Sequence, residues 1–585
     1  MAAVAPSPRR LPLLVGAGLA VVLLAALLRL WAIDAVPGNT FYDAAVRSMA
    51  RSWHNFFFGA LEPGGSVSID KPPVDLWFQV ASTKLFGAGR IGLHLPEALA
   101  GTAAAAALMV MLGRTVGAAE GLVAGLALAV LPISVLTSRS DTMDSLLALL
   151  LVCAFWLSLH ALRTGRRRWI LLAAATMGVA FNVKLSESLI PLPAIALLWW
   201  WALPRGAGRL RTLAGAGAAY VVVSLSWAFA ASLTTLSSRP FPVGSTTGSI
   251  WRLLFVYNGT DRLTGKGNVS AIASGPGGGP GPLRLLDTGS SHYGSEIGGL
   301  LLAALVFGTI AIVLAALAEH GRLPAPSSLA GRCTAALALW LLTGVLLFSV
   351  MRRLEPRYLE VIAPAACGIL AISLVRLIFD WPRAGAVAIA LAAVGLLGYQ
   401  LLARSGGTGA TVLVVGAGCA ATTAALALRG GGDMRRLVLG GALAVELFAG
   451  PLGASVTLID KHTSDSLSSD PIQPRLSAYL LAHRGGARYE VVAGSVFNAA
   501  GIVASDGLPV LILNDVSARI VRLAQLKRAV AGGQVRYFYS PGACRPQRRC
   551  LDTMRFSLDN SVALPHSQLR EYTASASSAV QARPR

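Results

Sequence analysis

Charge is scarce in this chain. Only 13% of its 585 residues are charged, where a soluble globular protein carries roughly 25%, and that deficit excludes a wholly soluble enzyme. Acids are scarcer than bases, 28 Asp+Glu against 50 Lys+Arg, and lysine occurs six times. The resulting net charge of +22 raises the question of nucleic acid. No continuous basic helix and no aromatic-interleaved basic patch accompanies it, so no nucleic-acid partner is expected and the excess reads as membrane-orienting charge. A Gly-rich phosphate loop between strand and helix is missing, which excludes a nucleotide site of that kind. The six cysteines have no Cys or His pairs at ligand spacing, which argues against zinc.

What the chain has instead is apolar sequence, 54% of it, with a mean hydropathy of +0.62. The apolar residues come in blocks that approach the ~20 residues needed to cross a bilayer as a helix. A first block at 13–33, interrupted by Arg29, follows Arg9 and Arg10 and reads as a retained span, not a cleaved leader. Twelve more fall near 92–112, 118–137, 145–162, 169–183, 187–203, 213–233, 296–318, 333–351, 360–379, 384–403, 409–428 and 437–456. The expected fold is therefore a polytopic α-helical membrane protein of about 13 transmembrane helices. With the N-terminus cytoplasmic, Arg114, Arg163 to Arg168, Arg205 to Arg211, Arg322, Arg332, Arg383 and Arg429 to Arg436 fall in short inner loops, as the positive-inside rule requires. The longer polar segments, 34–91, 234–295 and 457–585, then all face outward from the plasma membrane.

The last of these is long enough for a domain of its own. Helix at about 471–484, strand at Tyr489–Ala493, a short helix, strand at Leu508–Leu513, helix at 516–531 and strand at Val535–Tyr539 make a small α/β unit over 457–570. The Ala- and Ser-rich tail 571–585 is expected to be disordered. Cys153, Cys333, Cys367 and Cys419 lie in or at the ends of spans, whereas Cys544 and Cys550 lie in this outer domain, where an oxidising compartment favours a disulfide.

Four polar clusters on the outer side are candidates for chemistry. In the first loop, Asn39 and Thr40-Phe41-Tyr42-Asp43 lead into Ser52-Trp53-His54-Asn55-Phe56-Phe57-Phe58, an aromatic-rich amphipathic helix at headgroup depth. Farther on, Asp70-Lys71-Pro72-Pro73 sets an acid and an amine before two prolines. That reads either as a plain surface turn or as a stiff site orienting a carboxylate and a phosphate-binding cation. Ser138-Arg139-Ser140-Asp141-Thr142-Met143-Asp144 and Asn182-Val183-Lys184-Leu185-Ser186-Glu187 interrupt apolar helices with charge; the acids alone would suit a helix N-terminus. The fourth, Arg352-Arg353-Leu354-Glu355-Pro356-Arg357-Tyr358-Leu359-Glu360, places three arginines against the positive-inside trend. It reads as an anion site or as a salt-bridged loop.

The span layout, the first loop with Lys71-Pro72-Pro73, the Asp-containing second turn and Arg357-Tyr358 before a Pro-Ala helix resemble bacterial C-type glycosyltransferases, the GT-C fold. These are relatives of the protein O-mannosyltransferases and the lipid A aminoarabinose transferase. Ala44-Ala45-Val46-Arg47-Ser48-Met49, Ser52 to Phe58 and Asp70 to Pro73 are similar to a Gram-positive, YkcB-like subgroup. The resemblance implies transfer of a hexose or pentose from a polyprenyl-phosphate donor to a cell-envelope acceptor on the outer face. A first-loop acid would deprotonate the acceptor hydroxyl and basic side chains would hold the lipid phosphate. The acidic pair of better-known relatives is replaced here by Gly38-Asn39, leaving Asp34, Asp43, Asp70, Asp75 and Glu62 in the loop.

Asp70 is the favoured base, with Asp43 the reserve. Lys71, Lys184, Arg357 and Arg139 are expected on the donor phosphate, and Asn39, Tyr42, His54, Asp141, Asp144 and Tyr358 on substrate. No cofactor is expected; Asp141 and Asp144 leave a divalent metal open, though the resemblance implies metal-free chemistry. The rival readings are a secondary transporter, disfavoured by the gathering of ionisable groups at one membrane edge without internal repeats, and a noncatalytic envelope assembly protein.

Overall fold

The structure is a computed structural model that describes residues 11–264, 279–288, 293–317, 327–380, 392–399, 415, 418, 433–465, 473–515, 518–539, 551–565 and 568–573. Cys544, Cys550, most of the expected spans 384–403 and 409–428, and the tail from 574 lie outside the described residues.

Among the described residues, eight helices are long and apolar enough to cross a membrane: Pro12–Ala35, Arg90–Thr115, Asp144–Thr164, Arg167–Leu189, Ala207–Ser232, Gly294–Leu314, Leu329–Val350 and Gly440–Asp460. A ninth is broken, Ala118–Val130 and Pro132–Ser138 meeting at 61°, and two apolar helices are shorter, Leu192–Ala202 and Ala363–Phe379. The break has a local cause. Pro132 has no N–H to continue the ladder, so Leu131 turns extended and a new helix begins with the proline in its first turn.

The chain divides into two compact units. The first comprises 1–36, 94–225 and 274–465 and holds most of the apolar helices. Its interior contains two buried arginines with complementary tasks. Arg29 donates to the carbonyls of Leu128 (3.1 Å) and Ala129 (3.0 Å), which the break at Pro132 strips of helical partners, and to Ser134 Oγ (2.9 Å) and Ser138 Oγ (3.1 Å). Arg139 in turn donates to the carbonyls of Leu28, Arg29, Trp31 and Ala32 at the end of the first helix. Each guanidinium satisfies carbonyls that a helix end leaves over.

The second unit comprises 37–93, 226–273 and 466–585. The single amphipathic helix expected over Tyr42–Phe58 is two, Thr40–Met49 and Trp53–Phe58, because Ser52 takes an extended conformation and its Oγ accepts from Asn55 N–H (3.1 Å) as the N-cap of the second. Strands β1 (Val67–Ser68) and β2 (Phe241–Pro242) pair in parallel. Strands β3 (Val492–Ala493), β4 (Leu511–Ile512), β5 (Tyr537–Tyr539), β6 (Ser561–Ala563) and β7 (Leu569–Tyr572) form a mixed sheet in the order β4-β3-β5-β7-β6. Helices Gln473–His483, Val496–Asp506, Leu523–Ala531 and Asp552–Asp559 accompany it. Strands β3 to β5 are fully buried and read as continuous apolar runs, whereas β6 and β7 are largely half-buried or exposed and of mixed polarity, which leaves little sequence pattern to announce them.

Candidate active site

In the first unit the acid-bearing turn is built from outside itself. Asp144 opens the helix Asp144–Thr164, and no side chain of its own turn caps it. Instead Glu97, buried on the helix Arg90–Thr115, accepts from Ser145 N–H (2.9 Å) and Leu146 N–H (3.2 Å). With the helix end so served, the Asp144 carboxylate is committed to Lys184 in an ion pair whose side chains are 0% and 5% exposed. Lys184 also lies 4.7 Å from the Tyr358 ring centroid, a cation–π distance.

The remaining expected member, Arg357, joins the same cluster. Arg357 pairs with Asp465 at 3.0 Å, and Asp465 N–H donates to Ser140 Oγ at 2.9 Å. Burial pushes the Asp465 carboxyl up, and the Arg357 guanidinium beside it opposes that shift. Ser134, which accepts from Arg29, passes its own hydroxyl hydrogen to Glu360 (3.0 Å). Lys184, Asp144, Glu360 and Arg29, with the half-buried Arg357 and Asp465, thus interact electrostatically as one set of opposed charges around the Tyr358 ring. Lys184, Arg357, Asp144 and Tyr358 are among the residues singled out in the sequence as candidates. Sequence reading missed Asp465, Glu360 as a member of this set, Glu97 and Arg29; the one available signal was an ionisable residue inside an apolar run. Arg139 sits elsewhere than expected, its guanidinium turned to backbone carbonyls, and Asp141 is buried within the turn.

In the second unit Asp70-Lys71 is held from three directions. Gly59, in the left-handed region (φ 66°), closes the Trp53–Phe58 helix and its carbonyl accepts from Ile69 N–H (2.9 Å). A Cβ there would stand 3.0 Å from Pro73 Cβ, so only glycine lets the turn approach so closely. Asp70 is then flanked by Lys71 Nζ at 3.2 Å and by Arg262 at 3.6 Å, and its carbonyl accepts from Asn258. Arg262 Nε donates to Asn258 Oδ1 (3.1 Å), four residues back on the same face. Lys71 donates to Tyr42 Oη and lies 4.9 Å from that ring's centroid. Asn258 and Arg262 were not anticipated; their fourfold spacing in an outer segment was the signal present.

The remaining first-loop candidates serve other ends. Asn39 Oδ1 caps the Thr40–Met49 helix by accepting from Phe41 N–H (3.1 Å). Asp43 lines a 510 Å³ cavity together with Arg47, Arg51 and Arg90, and Asp70 is not among the residues around it. Glu62 accepts from Gly64 and Ser66 N–H, both at 2.6 Å, and burial pushes its carboxyl up against those bonds. Asp75 accepts from Gln79 (2.8 Å). His54 is exposed and stacks obliquely on Phe58, centroids 4.8 Å apart. Among the described residues, no group of three or more His, Cys, Asp or Glu is arranged to hold a metal ion. An acid flanked by two cations and a lysine–arginine cluster are suited to proton abstraction and to charge stabilisation, respectively.

Residues 70–227 match the family described as "Dolichyl-phosphate-mannose-protein mannosyltransferase", and residues 476–554 match the one described as "Putative mannosyltransferase YkcB-like, C-terminal". The chain is similar to the YkcB-like C-type glycosyltransferases. Two curated relatives come from Bacillus subtilis: "Putative mannosyltransferase YycA", 37% identical over 273 residues, and "Putative mannosyltransferase YkcB", 36% identical over 238. The matches take in 44% and 40% of this chain and only 39% and 33% of those relatives. Among solved structures, ArnT from Cupriavidus metallidurans bound to undecaprenyl phosphate aligns over 99% of this chain and 100% of its own, with TM-score 0.55 and 17% identity. The Archaeoglobus fulgidus oligosaccharyltransferase aligns over 92% of this chain and 70% of its own, with TM-score 0.54 and 13% identity. At those identities the likeness shows a shared fold.

Proposed function

We propose that this YkcB-like chain is a membrane glycosyltransferase that moves a hexose or pentose from a polyprenyl-phosphate donor to a hydroxyl of a cell-envelope acceptor outside the plasma membrane. The observation that carries the reading is Asp70, buried to 13% exposure beside Lys71 and Arg262. A carboxylate fixed in a tight turn and largely shielded from water is positioned to take a proton from a bound hydroxyl.

In the proposed reaction Asp70 takes the acceptor O–H proton as that oxygen bonds to the anomeric carbon. The bond from that carbon to the phosphate oxygen breaks, and its electron pair leaves with the lipid phosphate. Lys71, Lys184 and Arg357 are proposed to stabilise the departing anion by their positive charge. Arg139 is assigned to holding the first helix, Asn39 to capping, and Tyr42 to orienting Lys71. No cofactor takes part in the proposed steps.

The test is release of polyprenyl phosphate by purified protein offered a panel of radiolabelled polyprenyl-phosphate sugars. Wild type should release it with at least one donor. Asp70→Asn should lower turnover about 10²–10⁴-fold with melting temperature unchanged. Turnover by that variant near the wild-type rate would move the base elsewhere, and transport without lipid-phosphate release would favour the transporter reading.

A further inference from the structure

A second basic cavity lies wholly within the unit that carries the mixed sheet, at the β4 edge. It encloses about 680 Å³, within the size range of small-ligand sites. Four arginines line it, Arg239, Arg519, Arg522 and Arg528, and no carboxylate is among the described lining residues. Their arrangement is fixed by the fold. Arg522, Gln525 and Arg528 fall three apart along the start and body of helix Leu523–Ala531, so they form one strip beside the sheet. Arg239 is held in place by the carbonyls of Thr234 (3.1 Å), Pro240 (3.3 Å) and Gly248 (2.8 Å). Arg519 has one acidic neighbour, Asp552 at 2.9 Å, but both side chains are more than a third exposed and that pair is weak.

The rest of the lining decides which anion fits. Thr246, Thr247, Gln525 and Gln534 offer neutral donors and acceptors, and Tyr489, half-buried with its backbone N–H on Gln534 O (2.9 Å) and its ring 5.2 Å from the Arg488 guanidinium, adds an aromatic side chain. A lipid anion would call for an apolar trough leading from the arginines. Most of the lining residues carry a hydroxyl, amide or guanidinium group, and Leu236, Phe241, Leu511, Ile520, Val521 and Ala529 supply the apolar remainder. Hydroxyl-matching groups, an aromatic side chain and guanidinium forks with a single, weakly paired acidic neighbour suit a sugar that carries a phosphate or carboxylate.

We propose that this cavity binds an anionic saccharide, through the Arg522–Gln525–Arg528 strip and Arg239. The site does not depend on the transferase reading, since it shares no residue with the Asp70 or Lys184 clusters and needs no turnover to be observed. The full chain in detergent, titrated calorimetrically with mannose 6-phosphate, mannose, inorganic phosphate and glucuronic acid, tests it. Mannose 6-phosphate should bind at least tenfold tighter than mannose or inorganic phosphate, and the double variant Arg522→Gln/Arg528→Gln should lose at least tenfold while melting as wild type. Arg522→Lys/Arg528→Lys, which keeps the charge and loses the fork, should fall between. Glucuronic acid reports whether a carboxylate replaces the phosphate. Equal binding of mannose 6-phosphate and inorganic phosphate would reduce the site to an adventitious ion site. Undiminished binding by both double variants, or no binding of any sugar acid, would also overturn it.

Discussion

The buried pair of Lys184 with Asp144 is sensitive to a single substitution, because removing one charge leaves the other unpaired in the interior. Lys184→Met leaves the carboxylate in the interior without its counter-ion, and such a change costs about 3–5 kcal/mol. Lys184→Met/Asp144→Leu removes both charges, so most of that loss should return while lipid-phosphate release stays absent. Thermal melting and the release assay, run on the same preparations, separate the two effects. A double variant no more stable than the single one would mean that Lys184 is tied to the fold by something other than its charge. The residues of this pair were legible beforehand from their rarity and from their position between apolar runs. Their partnership was not, since 40 residues separate them and no local pattern links one helix start to the end of the next.

At the scale of elements, the helix starting at Asp144 depends on a cap from a different helix. Glu97→Ala removes the acceptor for Ser145 and Leu146 N–H and should lower stability by roughly 1–2 kcal/mol. Glu97→Gln keeps a carbonyl oxygen and should lose less than half as much. Equal losses in the two variants would show that the charge of Glu97, not its acceptor, holds the helix start. Sequence reading placed this helix from its apolar run, and placed the broken span from hydropathy alone, without the break. Pro132 was visible, but the reason the break is tolerated lies in Arg29, about a hundred residues away, which takes up the stripped carbonyls.

For the whole molecule the sheet-bearing unit carries a pH dependence. Glu490 is fully buried, and burial together with the Asp506 carboxylate pushes its carboxyl up to about 9 from an ordinary 4.5. The folded state therefore holds a proton there that the unfolded chain has released. Between pH 5 and 9 the folded state binds more protons, so stability should fall steadily as pH rises through that window and level off above it. Melting of the full chain from pH 5 to 9 should show the decline, and Glu490→Gln, which carries its hydrogen at every pH, should flatten it. An unchanged slope would assign the dependence to other groups. In the same unit, non-reducing mass spectrometry should find Cys544 linked to Cys550; free alkylation of both would refute the pair.

Composition and periodicity by themselves determined a helical membrane chain, because crossing lipid demands about twenty apolar residues in a row and leaves that mark locally. The rarity of lysine and acid likewise marked Asp70, Lys71, Asp144 and Lys184, and a departure from the positive-inside trend marked Arg357. Only the tertiary structure decided their partners: Arg262 for Asp70, Asp465 for Arg357, Glu97 for the helix start, and backbone carbonyls for Arg139. Ion pairs and caps between distant segments depend on which helix faces are brought together, and packing of nearly uniform apolar surfaces leaves that choice unwritten in any short stretch of sequence.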